Sequence, residues 1–133
     1  MKEHVIITGG SRGIGFAVAR AFAARGAKVL ILARNAEELS AAAQSLADTS
    51  GEVVTRVCDV AKESDVEALK STIETDFENR VDVLVNAAGI YGPMGLLEES
   101  DIEKWKATFE VNVFGTMLMS RLVLPFMKKQ GSG

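Results

Sequence analysis

The sequence predicts an α/β fold in which helices cover both faces of an open, doubly wound parallel sheet. Three observations predict it. Short apolar runs alternate with longer segments of helical spacing along the whole chain. A glycine-rich turn, TGGSRGIG at residues 8–15, links the first apolar run to the first helical segment. The second run, KVLILA at residues 28–33, has no charge after its lysine, as expected of a strand buried on both faces.

Each element has its own signal. Residues 4–7 read as the first strand, and residues 13–25 as a helix ended by Gly26. Residues 28–33 form the second strand. An alanine-rich helix follows over residues 36–48, with Asn35 placed to cap it. Residues 52–58 (EVVTRVC) give a third strand and residues 63–77 a third helix. The fourth strand is VDVLV, residues 81–85, followed by a loop holding Gly92, Pro93 and Gly95. Residues 101–129 read as one long helix, bent near Pro125. Strands joined through helices imply right-handed crossovers.

Composition narrows the function classes. The 133 residues, 47% hydrophobic and 25% charged, suit one soluble domain spanning residues 1–133. A formal charge of -3 argues against a nucleic-acid binder with a broad basic surface. Cys58 is the lone cysteine and His4 the lone histidine, which excludes an internal disulfide and leaves little for a metal site. The expected environment of the chain is cytoplasmic. The apolar run near the amino terminus is too short for a signal peptide, and no segment reaches the roughly 18 apolar residues of a membrane span. Cys58 is expected to be a small buried residue, and His4 structural or exposed.

The chemistry-bearing residues fall at the carboxyl ends of the strands, where such sheets bind ligands. TGGSRGIG, Arg34, Asp59 and Asn86 each follow one of the four strands. A glycine cluster loses more backbone entropy on folding than other residues would, so it needs a reason. A surface turn without a ligand is one. The other is a phosphate held by the free N–H groups and positive dipole end of the first helix. Gly9 would then allow the tight turn, Gly13 the close approach of phosphate, and Gly15 the packing of helix on strand. Ser11 and Arg12 offer side-chain contacts and Ile14 a backbone N–H. The spacing is Gly-x3-Gly-x-Gly, unlike the commoner Gly-x-Gly-x2-Gly.

The residues after the second strand bear on which dinucleotide is bound. An NAD site usually has an acidic residue about 20 positions past the glycines, to accept from the ribose 2′-OH. Here Ala33 and Arg34 occupy that place. A guanidinium suits a 2′-phosphate, with Arg12 approaching from the glycine loop and Asn35 donating beside it. The alternative is that both arginines are solvated surface charges. NADP(H) is the expected cofactor. A flavin or S-adenosylmethionine would leave the two arginines without a 2′-phosphate to bind.

TGGSRGIG (8–15), CDV (58–60), NAAG (86–89) and VNVFG (111–115) resemble, in order and spacing, the short-chain dehydrogenase/reductase family. The resemblance covers the chain and is nearest, loosely, to members similar to 3-oxoacyl-carrier-protein reductases and to sugar or polyol dehydrogenases. It implies a Rossmann-type sheet of order 3-2-1-4 and hydride transfer between NADP(H) and an alcohol or carbonyl. By the same resemblance Asp59 accepts from the adenine amino group beside the Val60 backbone, and Asn86 ties neighbouring strands together. Ala87 and Gly89 let the ribose lie against backbone. Asn112 resembles the helix asparagine that supports a water-mediated proton relay; read alone, the alternative for a mid-helix Asn is simple solvation. Trp105, Phe109, Val113, Phe114, Met117 and Leu118 cover more than one face of the last helix. One side would meet the core, the other a second copy of the chain.

The family's catalytic Tyr-x3-Lys, with a serine before it, has no counterpart here. The sole tyrosine is Tyr91, and Gly95 stands four residues on. The expectation is therefore the cofactor-binding half of a longer enzyme, truncated after the fourth strand and its helix. The alternative is a non-catalytic nucleotide-binding or interaction module completed by a partner chain. Because no residue present replaces an acidified tyrosine, residues 1–133 alone should not turn over carbonyl substrate with NADPH. Efficient reduction in that assay would refute the assignment of the chemistry to residues outside this stretch.

Overall fold

The computed structural model describes all of residues 1–133. Its four strands are β1 (His4–Thr8), β2 (Lys28–Ala33), β3 (Glu52–Val57) and β4 (Val83–Asn86), all parallel, in the order β3-β2-β1-β4. The crossovers are α1 (Gly13–Ala24), α2 (Ala36–Ser45) and α3 (Glu63–Thr75). After β4 come α4 (Ile102–Phe109) and α5 (Gly115–Gln130). This is the Rossmann-type arrangement that the sequence predicts. The chain reverses direction across the sheet between β1 and β4, which is where ligands enter such folds.

Period-two alternation explains how one apolar run serves two layers. Val5, Ile7, Val29 and Ile31 face one side, against Ala19 and Ala23 of α1 and Leu39 of α2. Ile6, Leu30 and Leu32 face the other, against Val66, Leu69 and Ile73 of α3 and Met119 and Val123 of α5. β1 and β2 are therefore buried on both faces. Each fully buried Leu, Ile or Val contributes about 1.5–3 kcal/mol relative to exposure. β3 and β4 are the sheet edges, and β4 is bonded only to β1.

Several boundaries differ from the sequence expectation. Helix α2 ends at Ser45 rather than at residue 48, because the Leu46 and Ala47 N–H groups turn back to Ala43 and Gln44. The Thr49 hydroxyl then donates to the Leu46 carbonyl at 2.6 Å. Helix α3 ends at Thr75 rather than 77. Glu78 (φ 53°) and Asn79 (φ 61°) both turn left-handed, and the Asn79 N–H closes on the Ile73 carbonyl at 2.9 Å. Phe77 lies just past this end, fully buried, with its ring 5.2 Å from His4. His4 is structural: it is 9% exposed, its backbone N–H donates to the Asp82 carboxylate at 2.7 Å, and its buried imidazole Nδ1 has no protein partner. β4 begins at Val83 because Val81 pairs elsewhere. The Gln130 side-chain amide accepts from its N–H and donates to its carbonyl.

The long helix is not uniform. Glu110–Phe114 is a π-helical segment, in which the Gly115 N–H reaches back five residues to the Glu110 carbonyl. α5 runs without interruption through Pro125 to Gln130. Gly115 explains the close seat: a β-carbon there would stand 2.6 Å from the Val60 side chain. Val111, Leu118, Leu122 and Phe126 turn toward the core. Trp105, Phe109, Val113, Phe114 and Met117 remain exposed. No helix is long and apolar enough to cross a membrane.

Candidate functional site

The carboxyl ends of the strands open into a cleft of about 1160 Å³. Of the fourteen residues singled out in the sequence, thirteen line it: Gly9, Ser11, Arg12, Gly13, Ile14, Gly15, Arg34, Asn35, Asp59, Val60, Ala87, Gly89 and Asn112. Asn86 does not. It closes β4 opposite Thr8 in the ladder, and its position is exposed.

The floor of the cleft is the start of α1. Arg12 precedes the helix in extended conformation and caps it with no side-chain hydrogen bond. The first intrahelical bond runs from the Phe16 N–H to the Arg12 carbonyl, 3.2 Å. The N–H groups of Gly13, Ile14 and Gly15 are therefore the unpaired donors of a helix amino terminus, with the positive end of the dipole behind them. By contrast, α2 and α4 are capped by Asn35 and Asp101, whose side chains accept from Glu38 and Glu103. Two glycines set the shape of this floor. Gly9 has φ +62° and lies so close to the 87–88 backbone that a β-carbon would sit 2.8 Å from Ala88. A β-carbon on Gly15 would stand 2.2 Å from the Gly9 carbonyl oxygen. The turn and the helix pack backbone on backbone, and no other residue type fits there.

The walls are held by side chains that the sequence reading did not single out. Thr8, 1% exposed, accepts at its hydroxyl from the N–H groups of Ala87 (3.1 Å) and Ala88 (3.0 Å). It thereby ties the loop after β4 to the end of β1. A threonine directly before a Gly-Gly turn was the available signal. Asp65, in the first turn of α3, accepts from the Asp59 N–H at 2.9 Å. Asp59 accepts in turn from the Ala61 N–H at 3.0 Å, an Asx turn made with one carboxylate oxygen. Its other oxygen has no protein donor. Glu38, on α2, also lines the cleft.

Asn112 sits in the π-helical segment, a feature common at functional sites. Its amide is engaged with the loop after β4. Nδ2 donates to the Ile90 carbonyl and Oδ1 accepts from the Ile90 N–H, both at 2.8 Å. Mid-helix placement is unfavourable for a solvated Asn, and here two hydrogen bonds across 22 residues supply the reason for it. Deeper in the cleft, burial pushes the Cys58 thiol up to about 12, reinforced by the carboxylates of Asp65 and Asp59. It is a packed apolar group, not a nucleophile.

The charges at the mouth complete the geometry. Arg12 and Arg34 are exposed, both line the cleft, and neither forms an ion pair. Asn35 uses its side-chain oxygen on the Glu38 N–H at 3.0 Å, which leaves its amide NH2 as a donor. A family model described as short chain dehydrogenase matches residues 3–133. The chain belongs to the short-chain dehydrogenase family. It is 44% identical over 133 residues to a 3-oxoacyl-[acyl-carrier-protein] reductase of Bos taurus, covering 100% of this chain and 54% of that protein. It is 35% identical to a D-threitol dehydrogenase of Mycolicibacterium smegmatis, over 96% of this chain and 48% of the relative. Among solved structures it is similar to an alcohol dehydrogenase from Thermococcus sibiricus complexed with 5-hydroxy-NADP, with TM-score 0.91 and 34% identity over 99% of this chain and 56% of that one. The L-sorbose reductase of Gluconobacter frateurii, complexed with NADPH and L-sorbose, superposes with TM-score 0.91 at 33% identity, over 99% of this chain and 50% of that one. The chain spans about half the length of these short-chain dehydrogenases.

The Thr8 anchor is directly testable. Thr8→Val keeps the shape and removes the acceptor, orphaning two N–H groups. Urea unfolding should show a loss of about 1–3 kcal/mol for each group left unpaired. Thr8→Ser, which keeps the hydroxyl, should stay within about 1 kcal/mol of the parent. A valine variant as stable as the parent would remove Thr8 from this account.

Proposed function

We propose that residues 1–133 form the dinucleotide-binding half of an NADP(H)-dependent oxidoreductase, which moves hydride between the cofactor and a small alcohol or carbonyl substrate. One observation carries the reading: the uncapped start of α1 and two unpaired guanidinium groups line the same cleft. The neighbouring structures solved with 5-hydroxy-NADP or NADPH support it.

The residues present fit such a group. The N–H groups of Gly13, Ile14 and Gly15 would hold the pyrophosphate, and Gly9 keeps side-chain bulk away from it. Arg34 and Arg12 would bracket the 2′-phosphate, with Ser11 and the Asn35 amide as further donors. The free oxygen of Asp59 would accept from the adenine amino group, beside Val60. The 87–89 backbone would bed the ribose. When bound, the nicotinamide supplies or accepts the hydride. Asn112 holds the Ile90 segment against the helix and would sustain the proton relay. Asn86 would take the role that the family resemblance gives it, tying neighbouring strands together. The proton donor itself is the family's Tyr-x3-Lys, which lies outside these motifs. The exposed apolar face of Trp105, Phe109, Val113, Phe114 and Met117 is the contact surface for a second copy of the chain.

Arg34→Ala tests the cofactor assignment. Fluorescence titration should show NADPH binding weakened by roughly 1.5–3 kcal/mol, the usual scale for a hydrogen bond to a charged group. NADH binding should barely change. Equal losses for both would show that Arg34 does not read the 2′ position.

A further inference from the structure

We propose that Glu38 tempers the cleft's preference for the phosphorylated dinucleotide by opposing a 2′-phosphate at the mouth where Arg12 and Arg34 attract it. The inference rests on the reading of Arg34 given above and assigns a further determinant of specificity at that same site.

Glu38 is the third residue of α2, exposed, and lines the cleft with both arginines. Its backbone is pinned, because its N–H donates to the capping Asn35 at 3.0 Å. Its side chain reaches across to the glycine loop, where the Ser11 hydroxyl donates to Glu38 Oε2 at 3.3 Å. No ion pair joins it to Arg12, Arg34 or any other cation, so its charge is not locally neutralised.

Two effects follow. A phosphate monoester carries between one and two negative charges near neutral pH, and a carboxylate at the same mouth repels it. The exposure of Glu38 means that solvent and salt weaken this repulsion without abolishing it. The second effect is competition for one proton. The Ser11 hydroxyl has a single hydrogen, and while that hydrogen is directed at Glu38 it is not available to a phosphate oxygen. NAD(H) has a neutral 2′-OH in place of the 2′-phosphate, and the pyrophosphate that both dinucleotides share does not separate them. Arg34 and Glu38 thus pull in opposite directions on the same phosphate, and the preference measured is their difference.

A purely structural role is the competing account. Acidic residues in the first turn of a helix favour its dipole, and Glu37 stands beside Glu38 there. That role would change stability without distinguishing the two dinucleotides. Glu38→Gln keeps an acceptor for Ser11 and removes the charge. In the full-length protein, NADPH should bind about three- to tenfold tighter at low ionic strength, with NADH within about twofold. The NADPH gain should shrink as salt rises from about 50 mM to about 500 mM. Glu38→Lys should gain more than Glu38→Gln, and it serves as the second variant should the first unfold. An unchanged or weaker affinity for NADPH, or an equal gain for both dinucleotides, would overturn the proposal. Arg34→Ala, run alongside, separates the two claims. A selective NADPH loss there with no gain in Glu38→Gln sinks the Glu38 proposal alone. Equal losses for both dinucleotides sink the reading of the mouth, and this proposal with it.

Discussion

The contact between Gly15 and the Gly9 carbonyl is the constraint on which the site depends. Because the first turn of α1 rests directly on the β1–α1 turn, no side chain can come between them. The residue before the helix is Arg12, whose side chain has no acceptor to cap it, so the first donors of α1 stay free. Asn35 and Asp101 satisfy one such group each at the starts of α2 and α4, while α3, like α1, begins without a side-chain cap. A helix that begins bare beside a cleft keeps the desolvation and dipole terms available to an anion. The glycines thus matter less for flexibility than for what they exclude.

The remaining walls are positioned by three side-chain anchors, two long-range and one local, none of them a ligand contact in itself. Thr8 fixes the loop after β4 against β1. Asn112 fixes the next residues of that loop to the last helix. Asp65 fixes the turn that carries Asp59. The Thr8 and Asn112 anchors join segments 79 and 22 residues apart, so that part of the cleft exists only when the sheet is assembled, whereas Asp65 acts within six residues. This is why the motifs fall at strand ends. Parallel register brings the carboxyl ends of β1, β2 and β4 to one edge, and helices on both faces leave that edge open.

Much of this was legible in the sequence, and the residues show why. The KVLILA run and the continuous Val5-Ile6-Ile7 run of β1 specify buried parallel strands, because each face needs its own apolar set. The glycine loop, Arg34 and Asp59 could be placed because local spacing fixes where they sit. What was not legible depended on tertiary partners. The end of α3 uses Glu78 and Asn79 in left-handed conformation, without the glycine that usually marks such a stop. The start of β4 shifts because Gln130, 49 residues away, takes over the hydrogen bonds of Val81. The π-helical segment arises where Asn112 must meet Ile90 while Gly115 seats on Val60, two contacts that helical periodicity does not encode. Glu38 escaped notice for the same reason: its partner Ser11 lies on another element.

The most direct measurement is an amide NMR titration of the protein with NADPH. The N–H resonances of Gly13, Ile14 and Gly15 should move first and furthest as the pyrophosphate takes up the free donors, accompanied by the Arg12 and Arg34 side-chain signals. If those three amides stay still while NADPH binding is evident elsewhere, the start of α1 is not the phosphate site.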